Sequence, residues 1–166
     1  MNVIIETVIL CSVFFLICFL ETGTDEKNLL GLRSYPTDVQ NIIRSDEKYK
    51  DKTKETNIPK VFIANLVMFM IVLLVFGIFI KSDDFKVNFI NILILGEALN
   101  LFDLVIIDLL WWRNSKRIRF SEIPDKKMYQ NPKKHIDSFL RGIIMYGIIA
   151  VIDGFILTIL LILFQR

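Results

Sequence analysis

Residues 89–112 form a mostly apolar run of 24 residues that nevertheless carries Glu97, Asn100, Asp103 and Asp108. A stretch of that length can cross a bilayer. A charged acid at such depth costs about 2.5 kcal/mol or more. Three acids in one span must therefore face protein, water, a cation or a proton. At about 100° per residue, Glu97 and Asp108 point nearly the same way. Asn100 and Asp103 fall within roughly 140° of that direction, so a broad polar side runs down most of the helix. Two further acids, Glu6 and Asp153, stand in other apolar runs.

Such side chains suit two roles. They can relay a proton or cation, or they can hold helices together as interhelical glue. The spacing separates an inner pair from an outer group. Asp108 and Arg141 lie at matching depths on antiparallel spans, and a structural ion pair between them is expected, with Asp137 as the competing partner. Glu6, Glu97 and Asp153 have no cationic partner in any span. With Asn100 and Asp103 they are the candidate proton- or cation-binding residues. Glu97 and Asp153 are expected to face each other near the midplane, with Glu6 as a third member. Two such acids cannot both ionise cheaply, so one should hold a proton or a cation should sit between them. Carboxylates without His or Cys favour a proton or a hard cation over zinc or copper, so no metal site and no cofactor is expected.

Enzyme signatures are not found. No GxGD motif surrounds Asp103 or Asp153, and no HExxH occurs. Asp103 and Asp108 are five apart, which places them on different faces of an α-helix. Catalytic residues are therefore not assigned, and an enzyme acting on a lipid-like substrate is the weaker alternative. The leading reading is a structural or accessory, partner-binding membrane subunit with a buried polar face, with a proton- or cation-coupled transport component as its alternative.

The elements that must position these groups are four apolar runs, over residues 3–20, 61–80, 89–112 and 139–164. With 54% hydrophobic residues and a mean hydropathy of +0.52, the 166-residue chain reads as one all-α membrane domain, a four-transmembrane-helix bundle. The run at 3–20 has no basic residue before it and no small-residue cleavage site after it, so it is expected to be a retained span. Cys11 and Cys18 lie seven apart within that run and read as small apolar packing residues. Asn57 and Pro59 read as the cap and first-turn proline of the second span. Gly142, Tyr146 and Asp153 share a face of the fourth span. Gly147 and Gly154 form a small-residue stripe suited to close packing.

Two long loops, 21–60 and 113–138, separate the spans. In the first, Thr37 to Gln40 reads as a capping box. Val39, Ile42 and Ile43 then recur at helical spacing, predicting a short amphipathic helix on the headgroups or on the other loop. Lys48, Lys50, Lys52 and Lys54 read as a solvated linker. In the second, Arg117-Ile118-Arg119-Phe120 alternates basic and apolar residues, as an extended segment pressed on anionic headgroups would. His135, the only histidine, stands beside Lys133 and Lys134 and reads as solvated. Trp111, Trp112 and Arg113 read as interface anchors.

The long loops carry sixteen Lys or Arg, against two in the short connection at 81–88. The positive-inside rule then places the long loops in the cytoplasm and both termini outside. The expected partners are anionic lipid headgroups and either a second copy or a partner membrane subunit. A net charge of +2 implies no nucleic acid. The richness in Ile, Lys and Asn suggests an AT-rich bacterial genome and hence a bacterial cytoplasmic membrane. From Asn100 through Trp112 and the basic loop that follows, the chain resembles small uncharacterised bacterial four-span membrane proteins. The resemblance covers about the last 80 residues. It implies a fold and no activity.

Overall fold

A computed structural model describes residues 3–53, 57–80 and 82–164, with the side chains of Ile58 and Phe164 excepted. Lys54, Lys81 and the terminal Gln165-Arg166 lie outside the described residues. The described chain is helical and contains no strand. Its α-helices are α1 (Val3–Leu20), α2 (Asp25–Leu30), α3 (Thr37–Ser45), α4 (Glu47–Lys50), α5 (Ile58–Gly77), α6 (Phe85–Phe102) and α7 (Lys133–Phe164). After Phe102, α6 continues as a π-wound segment, Asp103–Trp111. Four of these stretches are long and apolar enough to cross a membrane.

Local signals explain several boundaries. The Asn57 side chain accepts from the Lys60 amide at 3.2 Å, capping α5 as expected. Asn131 does the same for Lys133 at 3.0 Å, so α7 begins well before the apolar run at Phe139. The capping box at Thr37 does not form. Pro36 occupies the cap position without a side-chain bond. The Gln40 amide instead donates to the carbonyls of Arg33 (3.0 Å) and Tyr35 (2.7 Å). Gln40 therefore satisfies acceptors in the preceding turn rather than a donor at the cap.

The chain divides into two compact units. The first takes in residues 1–12, 57–101 and 140–166. In it, Leu73 of α5, Ile92, Leu95 and Leu99 of α6, and Ile149, Ala150 and Leu157 of α7 are buried. Polar groups join the helices as well. Asn88 donates to the Ser82 carbonyl at 2.8 Å and to the Thr158 hydroxyl at 2.9 Å. The glycines divide by neighbourhood. A Cβ on Gly142 would strike the Asn100 amide group, and one on Gly154 would meet the Phe89 backbone at 3.2 Å. Around Gly147 nothing lies within 4 Å, so the expected Gly147–Gly154 stripe packs at one end only.

The second unit takes in residues 13–56 and 102–139. Its core is Leu32, Tyr35, Val39, Ile43 and Tyr49 from one loop with Trp112, Ile118, Phe120, Ile123 and Tyr129 from the other side of the sequence. The amphipathic helix α3 thus lies on the other loop, burying Val39 and Ile43 while Ile42 stays exposed. The Arg117–Phe120 strip is not splayed on a surface. Ile118 and Phe120 are 0% and 1% exposed, because both apolar side chains have a protein core to enter. Buried hydroxyls close the backbone gaps that such a strip leaves. Tyr35 donates to the Ile118 carbonyl at 2.7 Å. Tyr129 donates to the Ile123 carbonyl at 2.8 Å and accepts from the Phe120 amide at 3.1 Å. Burial pushes the pKa of both phenols up, so they remain neutral donors.

Charged groups tie the same loops at the rim. Asp25 accepts from the Tyr49 hydroxyl at 2.5 Å, from the Ser121 amide at 3.0 Å and from the Ser121 hydroxyl. Burial alone would raise its pKa, but these hydrogen bonds, with Lys48 adding its charge, hold it below the usual carboxylate range. Lys48 bonds Glu122 at 3.1 Å rather than lying in a solvated linker. Its own pKa is raised by its contacts with Tyr49 and Glu122. Arg117 donates to the carbonyls of Phe19 (3.1 Å) and Thr22 (2.9 Å), where α1 ends, and its guanidinium sits 4.0 Å over the Phe19 ring. Gly23, at φ +112°, makes the turn that lets Arg117 in; a Cβ there would sit 2.8 Å from its Nη2.

Candidate functional site

In the first unit, the buried stripe of α7 carries Gly142, Tyr146, Ile149 and Asp153, as the helical spacing predicts. Asp153 is 0% exposed. Neither of its carboxylate oxygens has a hydrogen-bond partner among the described residues. Buried polar groups are as a rule partnered, and burying an isolated carboxylate is costly. Glu6 is equally buried but engages another group. Glu97 is not in that situation. It is partly exposed, and its Oε2 accepts from the Asn100 amide at 3.3 Å one turn further along α6. Among the described residues no hydrogen bond joins Glu97 to Asp153, and Glu97 is turned toward its own helix neighbour.

In the second unit the π-wound segment changes the register of α6. An i→i+5 winding brings residues five apart toward one side. Asp103 and Asp108, which an α-helix would separate, thereby come within electrostatic reach of each other. Cys18 lies in reach of both acids. The Asp108 carboxylate is 2.9 Å from Nδ1 of His135, whose side chain is 3% exposed. His135 is therefore a buried side chain in close contact with Asp108, not a solvated loop residue. It takes the place expected for Arg141, whose side chain is exposed. The reason is the early start of α7, which makes residue 135 part of its first turn. The second ring nitrogen, Nε2, is buried without a hydrogen-bond partner among the described residues.

The aromatic residues around this pair also differ from expectation. Trp112 is 6% exposed. Its ring meets His135 at 4.8 Å, Tyr35 at 4.8 Å and Tyr129 at 6.2 Å, all edge-on. It is a wall of the core and not an outward anchor. Trp111 packs on Phe15 and Phe19. Arg113 donates to the Gln130 carbonyl at 2.6 Å, and the Gln130 amide returns a bond to the Arg113 carbonyl at 2.8 Å. No group of three or more His, Cys, Asp or Glu side chains arranged to hold a metal occurs among the described residues.

His135 was legible in one respect. Residues 135, 142, 146, 149 and 153 fall on one stripe of a continuous helix. Starting that helix at the Asn131-Pro132 signal, instead of at the first apolar residue, puts the histidine on the buried face. No family model, no curated protein and no solved structure matches this chain.

Proposed function

We propose that the chain is a four-span protein of the cytoplasmic membrane, a small subunit that handles a proton or a hard cation through a buried acid, Asp153. The membrane part of this reading is supported by the four apolar helices and by what they leave uncovered. Ile4, Ile144 and Leu163 are 71%, 65% and 63% exposed, among many others, and apolar surface on that scale calls for lipid or a partner. The positive-inside bias supports cytoplasmic long loops, and their packing into one unit supports a common side for both. Single cysteines at Lys52 and Lys127, in a background without Cys11 and Cys18, should resist an impermeant thiol reagent in whole cells.

The observation that carries the functional part is the pair of unpartnered Asp153 oxygens. Where this fold uses polar groups as interhelical glue, the bond is visible: Asn88 of α6 to Thr158 of α7. Asp153 has no such bond among the described residues, so it fits glue poorly and fits a proton or cation seat well. Four spans are few for a solute pathway, which favours a subunit of a larger assembly or a homo-oligomer.

The test uses the full chain in liposomes. Dicyclohexylcarbodiimide, an apolar reagent that couples to protonated carboxyls, should label Asp153, and Asp153→Asn should abolish the labelling. Protection by sodium would identify a cation seat; indifference to sodium would identify a proton seat. Proton flux followed with an entrapped pH dye should be present in wild type, lost in Asp153→Asn and retained in Glu97→Gln. An unreactive Asp153 together with unchanged flux in Asp153→Asn returns the residue to packing.

A further inference from the structure

The geometry points to a proton-exchange dyad formed by Asp108 and His135, with Nε2 of His135 as the atom that takes up and releases the proton. Its physiological purpose rests on the proton-handling reading above; its chemistry does not.

Nδ1 lies 2.9 Å from Asp108 Oδ2. A carboxylate at that distance electrostatically favours the tautomer with its hydrogen on Nδ1. The lone pair is then left on Nε2, which is buried and has no hydrogen-bond partner among the described residues. A histidine kept only for packing would be expected to satisfy both nitrogens, since an unmet buried polar atom is destabilising. The ring is held in place by the edge-on contact with Trp112. Asp108 retains 14% side-chain exposure, so the pair is not sealed off. The backbone that presents Asp108 is π-wound from Asp103 to Trp111, a rare winding that is frequent at functional sites.

The other titratable groups around the pair are Asp103 on the same segment and Cys18 of α1. Tyr35 and Tyr129, which flank Trp112, are held neutral by burial. Glu21 acts on Cys18 as well, and the cations close by in sequence are Lys133 and Lys134 beside His135 and Arg113 beside Trp112, so the imidazolium would be one cation among several. The step balances simply. Uptake forms one N–H bond at Nε2 from a proton delivered by water and breaks no bond in the pair. A neutral imidazole beside a carboxylate becomes an imidazolium beside the same carboxylate. Release reverses it.

His135 is the only histidine in the chain, so the ring signals of protein labelled with 15N-histidine, in lipid nanodiscs, belong to it alone. The expected result is a proton on Nδ1 at alkaline pH and reversible protonation of Nε2 on acidification. In Asp108→Asn the preference for Nδ1 should be lost. In the liposome assay, His135→Gln and Asp108→Asn should each slow flux about a hundredfold, the scale of a lost general acid–base group. An Nε2 that never titrates in the folded wild type, or a proton absent from Nδ1, overturns the dyad without any variant having to fold. Wild-type vesicles as tight as empty ones would defeat the proton-handling reading while the nitrogen spectra still decide the dyad. Conducting wild type with unchanged flux in His135→Gln would remove the dyad from the flux pathway and leave the proton-handling reading standing.

Discussion

Ile118 offers the sharpest check on the second unit, because its burial reverses what its flanking arginines suggest. The side chain is 0% exposed. Ile118→Ala removes three carbons, or about 2.4 kcal/mol at about 0.8 kcal/mol per buried methylene. The cavity left behind adds to that, giving about 3–4 kcal/mol, within the range seen for buried large-to-small changes. The unit is built from loops, so the loss is expected as easier local opening rather than as global unfolding. Amide hydrogen exchange over residues 37–50, which carry Val39, Ile43 and Tyr49 of the same core, reads it directly. A loss of about 3 kcal/mol raises exchange there about a hundredfold. Leu30→Ala is the control, since Leu30 is 88% exposed, and should leave exchange unchanged. Unaltered protection of residues 37–50 in Ile118→Ala, with weaker binding to anionic vesicles, would refute the core and restore the headgroup reading.

Asp25, held below the usual carboxylate range by Ser121 and Tyr49, should contribute stability that is fully present above its unfolded pKa and lost as pH falls through its folded one. Thermal melts in detergent should therefore show an acid-labile component below about pH 4, and Asp25→Asn should lower the neutral-pH melting temperature while flattening that limb. Asp108→Asn and His135→Gln should each cost about 1–3 kcal/mol, as expected for leaving a buried polar group unpaired, and the double variant should lose much less than the sum. Arg141→Gln, at an exposed position, should fall within about 0.5 kcal/mol of wild type in the same denaturation series. Gly142→Ala should destabilise by about 1–3 kcal/mol through its clash with Asn100. Gly147→Ala, facing open space, should be neutral or gain up to about 1 kcal/mol from helix propensity.

The four apolar helices were legible because composition and run length alone decide them, and the Asn57 cap was legible because cap chemistry is local. The buried stripe of Gly142, Tyr146 and Asp153 followed from period alone. What failed depended on partners distant in sequence. Ile118 and Phe120 read as a surface strip because the Tyr35, Val39 and Ile43 side chains that cover them lie far upstream. Asp103 and Asp108 were assigned to different faces on an α-helical count, and nothing in the residue types announces that the winding becomes π there. His135 was set aside because its neighbours are lysines, although the Asn131-Pro132 start signal placed it on the helix. The Asp108–Arg141 pairing came from matching depths, and depth says nothing of rotation about the helix axis.

The second unit draws its core from two stretches of chain, residues 29–49 and 111–129, with α5 and α6 between them in sequence. During synthesis the earlier stretch emerges with half a core and must wait until two apolar helices have been made before the other half arrives. On the proposed membrane reading, both halves meet only if each intervening helix has been threaded in its proper direction. A chain inserted with one loop on the wrong face would leave Tyr35, Val39, Ile43, Ile118 and Phe120 uncovered, surface of the kind that quality-control proteases and chaperones engage. The Arg117 cap on the end of α1 works the same way, since its acceptors and its guanidinium come from opposite sides of that delay. On that reading the small folded unit doubles as a record of insertion, completed only where both long loops lie on one face.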